Sequence, residues 1–124
     1  MQLQDLKSQL TLVFPVRIDC EERRENLRVV LRQLDGLGCR MLVLEADAVP
    51  ALGEEAWPDG VEYTFVEDAS KVFHRTRYIN ELLRMAGTEV VGVWDTDVLV
   101  GYAQNGEAVL RILERCTIAY PYNG

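Results

Sequence analysis

Two runs of almost uninterrupted apolar residues constrain the fold of this chain most: LTLVFPV at 10–16 and MLVLE at 41–45. A strand with one face in water alternates apolar and polar residues, whereas these runs require burial on both faces. VEYTFVE at 61–67 is a shorter, partly alternating run, and VVGVW at 90–94 is again apolar. The sequence therefore predicts four strands, with the first two inside a sheet that is covered on both sides.

Helical periodicity separates these strands. A first helix is predicted from a capping box, Asp19 with Glu22, to Gly36. Its apolar positions recur at helical spacing: Leu27, Val30, Leu31, Leu34 and Leu37. A second helix is predicted over roughly 72–86, ending at Gly87. Its apolar side would carry Val72, Ile79, Leu82, Leu83 and Ala86. Asn105 is predicted to cap a third helix, and TIAYPYNG at 117–124 to be extended.

This alternation predicts a single α/β domain with a mainly parallel sheet and helices on both faces, which is Rossmann-like. A length of 124 residues with 48% apolar content fits one domain with a real core. Right-handed crossovers favour the strand order 3-2-1-4, with the reversal between strands one and four. Ligands bind at such reversals, so residues 15–19 and 95–97 are expected to face each other across the crevice.

Two carboxylates, Asp95 and Asp97, end the fourth apolar run in the sequence DTD. Residues two apart on a strand point the same way, with α-carbons about 6–7 Å apart. Two unpaired carboxylates at the rim of an apolar sheet repel each other and lose hydration, a cost that Mg²⁺ or Mn²⁺ would remove. The alternative is that one Asp caps a turn and the other is solvated, since DxD alone is a weak motif.

Cationic side chains surround the expected crevice. In FHRTRYIN at 73–80, His74, Arg75 and Arg77 fall at the start of the second helix, where free N–H groups favour an anion. Arg17 ends the first strand. Arg17 and Arg75 near a bound metal would suit a diphosphate. For each arginine the alternative is a surface salt bridge, more so for Arg77, and a solvated or capping role fits His74 equally well.

The charge and cysteine content exclude several classes of protein. The net charge of −7 repels nucleic acid and anionic membranes, so an anion must be bound locally. The three cysteines, Cys20, Cys39 and Cys116, have neither disulfide-framework nor zinc-site spacing. No signal peptide and no membrane span is predicted. A cytoplasmic protein is therefore expected.

Three segments together resemble a known family. They are FPVRIDCEERRENLRVVLRQL at 14–34, FHRTRYINELLRMAGTEVVGVWDTD at 73–97 and the closing YPYNG. In order and spacing they resemble the nucleotide-sugar glycosyltransferases of the GT-A fold, in particular the β-1,4-galactosyltransferase-like and bacterial family 2-like branch. The resemblance implies the nucleotide-binding half of a GT-A fold.

The resemblance also implies roles for individual residues. Asp97 would ligate Mn²⁺ or Mg²⁺, and Asp95 would hydrogen-bond the ribose or the donor sugar. Arg75 would contact the nucleotide, and Glu45 or Asp68 would approach the base. The residues implied to line the uridine diphosphate site are Pro15, Val16 and Arg17.

Such enzymes transfer a sugar from a UDP-sugar to the hydroxyl of a glycan or another acceptor, with inversion. The metal and arginines stabilise the departing diphosphate. The general base of this branch comes from a segment well after DxD, but only 27 residues follow Asp97. We therefore expect the donor-binding half alone, without the acceptor-binding half and the base. Apolar surface around Ile118, Tyr120 and Tyr122 would then favour a homo-oligomer.

Two other function classes are open. DTDV also fits the haloacid-dehalogenase-like phosphatases, in which Asp95 would be the nucleophile and Asp97 the acid/base partner. That motif normally ends the first strand and needs a later lysine, whereas Lys7 and Lys71 both lie upstream. The other alternative is a non-catalytic module that binds nucleotides or assembles with another chain.

Overall fold

The computed structural model describes residues 8–96, which form an α/β unit around one sheet. The strands are β1 (Leu10–Val16), β2 (Arg40–Asp47), β3 (Val61–Glu67) and β4 (Val90–Val93), and the helices are α1 (Glu21–Asp35) and α2 (Arg75–Ala86). All strand pairs are parallel, in the order β3-β2-β1-β4. The predicted α/β class and strand order are confirmed. The predicted third helix and closing extended segment lie outside the described residues.

The two faces of the sheet bury separate apolar clusters, because successive strand residues point to opposite sides. Leu12, Phe14 and Val16 of β1 lie in the cluster that includes the α1 residues Leu27, Val30, Leu31 and Leu34. Val13 lies in the opposite cluster with the α2 residues Tyr78 and Leu82. The central strands β1 and β2 are covered on both faces, which explains their unbroken apolar sequence.

The predicted capping box at α1 is wrong. Cys20, in an extended conformation, occupies the N-cap position, and no side chain accepts a capping hydrogen bond there. The Asp19 carboxylate instead accepts a 2.9 Å hydrogen bond from Arg23 Nε. The arginine four residues on competes for the same oxygen, and its positive charge lowers the pKa of Asp19.

The second helix begins three residues later than predicted, at Arg75, with His74 at the N-cap position. Val72 lies before the helix and is 64% exposed, and Leu83 is 45% exposed, so neither belongs to its buried side. Tyr78, Leu82 and Ala86, spaced four residues apart, face the sheet instead. As predicted, the helix ends at Gly87, whose φ of 68° is left-handed.

Polar side chains fix the C-terminal end of α2 to the sheet. Arg40 Nη1 donates to the carbonyls of Met85 and Ala86, at 3.0 and 2.6 Å, and the buried Thr11 hydroxyl donates to Ala86 O at 3.3 Å. The N-terminal end of α2 is thereby held at the carboxyl ends of the strands. Within residues 8–96, no helix is long and apolar enough to cross a membrane.

Candidate functional site

The candidate site is a crevice at the carboxyl ends of β1 and β4, where the strand order reverses. It encloses about 850 Å³ and lies between the N-terminal ends of α1 and α2. This volume falls within the range of roughly 300–1,000 Å³ typical of small-molecule sites. Five residues predicted for the site line it: Pro15, Val16, Arg17, Arg75 and Asp95. Asp97, the predicted metal ligand, lies outside the described residues.

An ion pair joins α2 to the end of β4 at this crevice. Arg75 Nη2 lies 3.1 Å from Asp95 Oδ1, and the two side chains are 50% and 53% exposed. Residues 20 positions apart in the sequence are brought together because α2 packs against β1 and β4, which places the start of the helix near the residues that follow β4. Breaking this ion pair so that either group can bind a ligand costs little free energy, since half-exposed ion pairs contribute only about 0–1 kcal/mol.

Arg17 lies beside this pair, but its guanidinium is bound to the protein itself. It donates to three backbone carbonyls, those of Ala46 at 2.8 Å, Ser70 at 2.7 Å and Asp68 at 3.3 Å. Its Cζ also lies 5.6 Å from the centre of the Phe73 ring. The prediction that Arg17 lies at the site is consistent with this position, although most of its donors already have partners.

Asp68 does not line the crevice. Its carboxylate accepts hydrogen bonds from the Tyr78 hydroxyl and, at 2.9 Å, from the Ser70 N–H. These two donors, together with the charge of Arg17, lower the pKa of Asp68. The hydrogen bond that the Tyr78 hydroxyl donates to this carboxylate also raises the pKa of Tyr78. Asp68 therefore holds the segment after β3 against α2.

Glu45 is not brought to the crevice. Its side chain is fully buried, with 0% exposure. It accepts hydrogen bonds from the N–H groups of Ala51 and Leu52, at 2.9 and 3.2 Å, and from the Tyr63 hydroxyl at 2.6 Å. The position that the resemblance assigns to a base contact is thus occupied by a side chain that anchors the loop after β2. The physical reason is local: the loop folds back and presents donors to the carboxylate.

Sequence reasoning did not assign Lys71, Phe73 and Trp94 to the site, but all three line the crevice. Trp94 also packs against the α1-side cluster. Lys71 and Phe73 lie in the segment before α2, and of these two residues only Phe73 fell within the predicted helix. The aromatic residue in FHRTRYIN directly before the basic cluster was the available signal, since aromatic rings and cations together favour nucleotides.

The crevice is more basic than the protein as a whole. Its lining includes four cationic side chains, those of Arg17, Arg23, Lys71 and Arg75, and three acidic ones, those of Asp19, Glu22 and Asp95. The chain carries a net charge of −7. Among the described lining residues, positive charges therefore outnumber negative ones by one, in contrast to the acidic chain as a whole.

The described residues do not fit a metal site on their own. No group of three His, Cys, Asp or Glu side chains that could hold a metal ion occurs within residues 8–96. Asp95 supplies one carboxylate, which faces the Arg75 guanidinium. Hard divalent cations take about six oxygen ligands, several of which can be water or substrate phosphate. A cation at this crevice would therefore need oxygen ligands in addition to the Asp95 carboxylate.

A second cavity of about 630 Å³ lies between α1 and the loop after β2, and none of the predicted site residues lines it. Trp57 lines this cavity and stacks on Tyr63, with ring centres 5.2 Å apart. The two tryptophans of the chain thus mark different places, Trp94 the crevice and Trp57 the second cavity.

Comparison with known proteins adds no identification: no protein-family model, no curated protein and no solved structure matches this chain.

Proposed function

We propose that the crevice binds the diphosphate of a nucleotide sugar, and that the chain is the donor-binding part of an inverting glycosyltransferase. The single observation that carries this proposal is the placement of Arg75 and Asp95 together at the reversal of the strand order. Brought there by two different elements, they give the crevice a cation for phosphate and a carboxylate for hydroxyl groups. Ligands of open α/β sheets bind at this position in the fold.

The chemistry follows from what each side chain can do. The guanidinium of Arg75 is only half-buried, so it can leave Asp95 and bind phosphate oxygens in a bidentate manner. The freed carboxylate then accepts hydrogen bonds from ribose or sugar hydroxyls. Phe73 and Trp94 offer apolar surface for a base or a sugar ring. As negative charge grows on the departing diphosphate, the cationic lining stabilises it.

The resemblance names the finer features of the proposal: a UDP-sugar as donor, an acceptor hydroxyl, and Mn²⁺ or Mg²⁺ on Asp97. A bound cation would neutralise the diphosphate as a Lewis acid. A cytoplasmic location is also proposed, which agrees with Cys20 and Cys39 being free thiols.

Calorimetry with a UDP-sugar, with and without Mn²⁺, tests the proposal. Arg75→Gln should weaken binding by about 10- to 100-fold, because a charge-assisted hydrogen bond contributes roughly 1.5–3 kcal/mol. Arg77→Gln is the matched control: it removes the same charge from the same helix, but Arg77 does not line the crevice. Asp97→Ala should abolish the increase in UDP-sugar affinity that Mn²⁺ produces. Absence of binding to the wild type, or equal losses in the two arginine variants, would contradict the proposal.

The alternatives give different results in simple assays. A phosphatase would release phosphate from a monoester and would lose that activity in Asp95→Asn. A non-catalytic module would bind the nucleotide sugar but transfer no sugar to any acceptor.

A further inference from the structure

The guanidinium of Arg17 joins three parts of the chain at the back of the crevice. Arg17 directly follows β1, and the carbonyls that it contacts belong to Ala46 of β2 and to Asp68 and Ser70 after β3. The Asp68 carboxylate lies 4.0 Å from Nη2, and the Arg17 side chain is only 16% exposed. A planar fork with five N–H donors can reach several carbonyls at once, which a lysine ammonium cannot do in this geometry.

The segment that Arg17 holds supplies two of the residues that line the crevice. Residues 68–74 connect β3 to α2, and Lys71 and Phe73 of this segment line the crevice, as does Arg75 directly after it. Phe73 is fixed from two sides, by the Arg17 guanidinium at 5.6 Å and by the Tyr78 ring, whose centre is 5.7 Å away. Removing Arg17 would therefore release the segment at Ser70, while Asp68 keeps its hydrogen bonds with Tyr78 and with Asp47 O.

We infer that Arg17 is a positioning residue: it holds segment 68–74 at the crevice, and the anion is bound by the side chains that this segment and α2 carry, not by the Arg17 guanidinium. The identity of the anion, a nucleoside diphosphate, rests on the function proposed above. The inference differs from the role that the resemblance gives Arg17, which is direct contact with uridine diphosphate.

Arg17→Lys separates positioning from a contribution of the positive charge alone, because it keeps the charge and removes the fork. If Arg17 positions the segment, Arg17→Lys should weaken UDP binding by about tenfold or more, nearly as much as Arg17→Ala does. Arg77→Lys is the control, because the Arg77 guanidinium lies over the Tyr78 ring, 5.8 Å from its centre, outside the crevice. A loss in Arg17→Lys below about tenfold would indicate that the charge itself binds the anion, and would overturn the inference.

A chemical rescue adds a readout that a general loss of stability would not produce. Millimolar methylguanidinium should restore UDP binding to Arg17→Ala, because it can again donate to the carbonyls after β3, whereas methylammonium should not. Equal rescue by both cations, or by neither, would overturn the inference.

Amide hydrogen exchange of the nucleotide-free protein tests the positioning independently of any ligand. In Arg17→Lys the hydrogen-bonded amides of Asp68, Ser70 and Arg75 should exchange about tenfold faster or more, while those in the middle of β2 stay unchanged. If the wild type fails to bind UDP, the donor-site proposal fails, and the exchange result alone decides the role of Arg17. Unchanged protection of residues 68–75 would overturn that role.

Discussion

Replacing Glu45 with Gln tests whether this buried side chain is structural or contacts a ligand. The carboxylate accepts from Ala51 N–H on one oxygen, and from Leu52 N–H and the Tyr63 hydroxyl on the other. Glutamine has nearly the same shape but only one acceptor oxygen. Its NH₂ group would face a buried donor, so that one protein N–H or O–H and one amide hydrogen lose their partners.

The expected cost follows from these two unsatisfied groups. Each buried polar group without a partner costs about 1–3 kcal/mol, so Glu45→Gln should lower the free energy of unfolding by roughly 2–6 kcal/mol. That is a large fraction of the approximately 5–15 kcal/mol by which a domain is stable. Urea denaturation would show it as a lower midpoint with an unchanged slope.

Glu62→Gln is the matched control, because Glu62 lies on the neighbouring strand but is 57% exposed and pairs with Arg40 at the surface. Its loss should stay below about 1 kcal/mol. The reasoning would be refuted if Glu45→Gln unfolded at the wild-type urea concentration. If it kept full stability and lost nucleotide binding, Glu45 would be a base contact after all.

Three further substitutions test the packing that positions the crevice. Gly92→Ala should lower the free energy of unfolding by about 1–3 kcal/mol in urea denaturation, because a Cβ would lie 2.7 Å from Leu12 Cδ2 in the core. Gly87→Ala should cost about 1 kcal/mol in the same assay, since its φ of 68° strains any L side chain. Tyr78→Phe should have a lower free energy of unfolding than the wild type at neutral pH. This difference should narrow below pH 3.8, the ordinary pKa of an aspartate, from which the pKa of Asp68 is lowered. A carboxylate whose pKa is lowered in the folded state stabilises the fold at pH values above its unfolded pKa. This contribution is lost as the pH falls through the folded-state pKa. The hydrogen bond from Tyr78 is the largest cause of the lowered pKa of Asp68.

The chain offers controls for these substitutions. Gly53→Ala and Gly36→Ala should be close to neutral, because an added Cβ at either position meets its nearest atom at 3.5 or 3.6 Å. A loss in either control that equals the loss at Gly92 or Gly87 would contradict the packing argument. For Tyr78→Phe, a stability gap that stays constant between about pH 5 and 2 would contradict the coupling to Asp68.

The sheet was predictable because each strand has its own apolar run in the sequence, and such runs recur along the chain. The runs 10–16 and 41–45 are too apolar for any strand with a face in water, and crossover handedness leaves few strand orders. The meeting of Arg75 and Asp95 followed from that order. The proximity of these two residues could therefore be predicted without any knowledge of side-chain contacts.

The details that were missed depend on contacts between distant residues. Val72 fits the helical spacing, but Arg17 binds the carbonyls of the preceding segment, and the helix begins only at Arg75. The burial of Glu45 depends on donors from the loop after β2 and from β3, which no periodicity reveals.

The central claim is that the crevice at the strand reversal binds a nucleotide sugar, and the two tryptophan indole N–H signals in a ¹H–¹⁵N spectrum test it directly. Titration with a UDP-sugar should shift the signal of Trp94, which lines the crevice, and leave that of Trp57, which lines the second cavity, in place. A shift of Trp57 alone, or of neither signal, would contradict the claim.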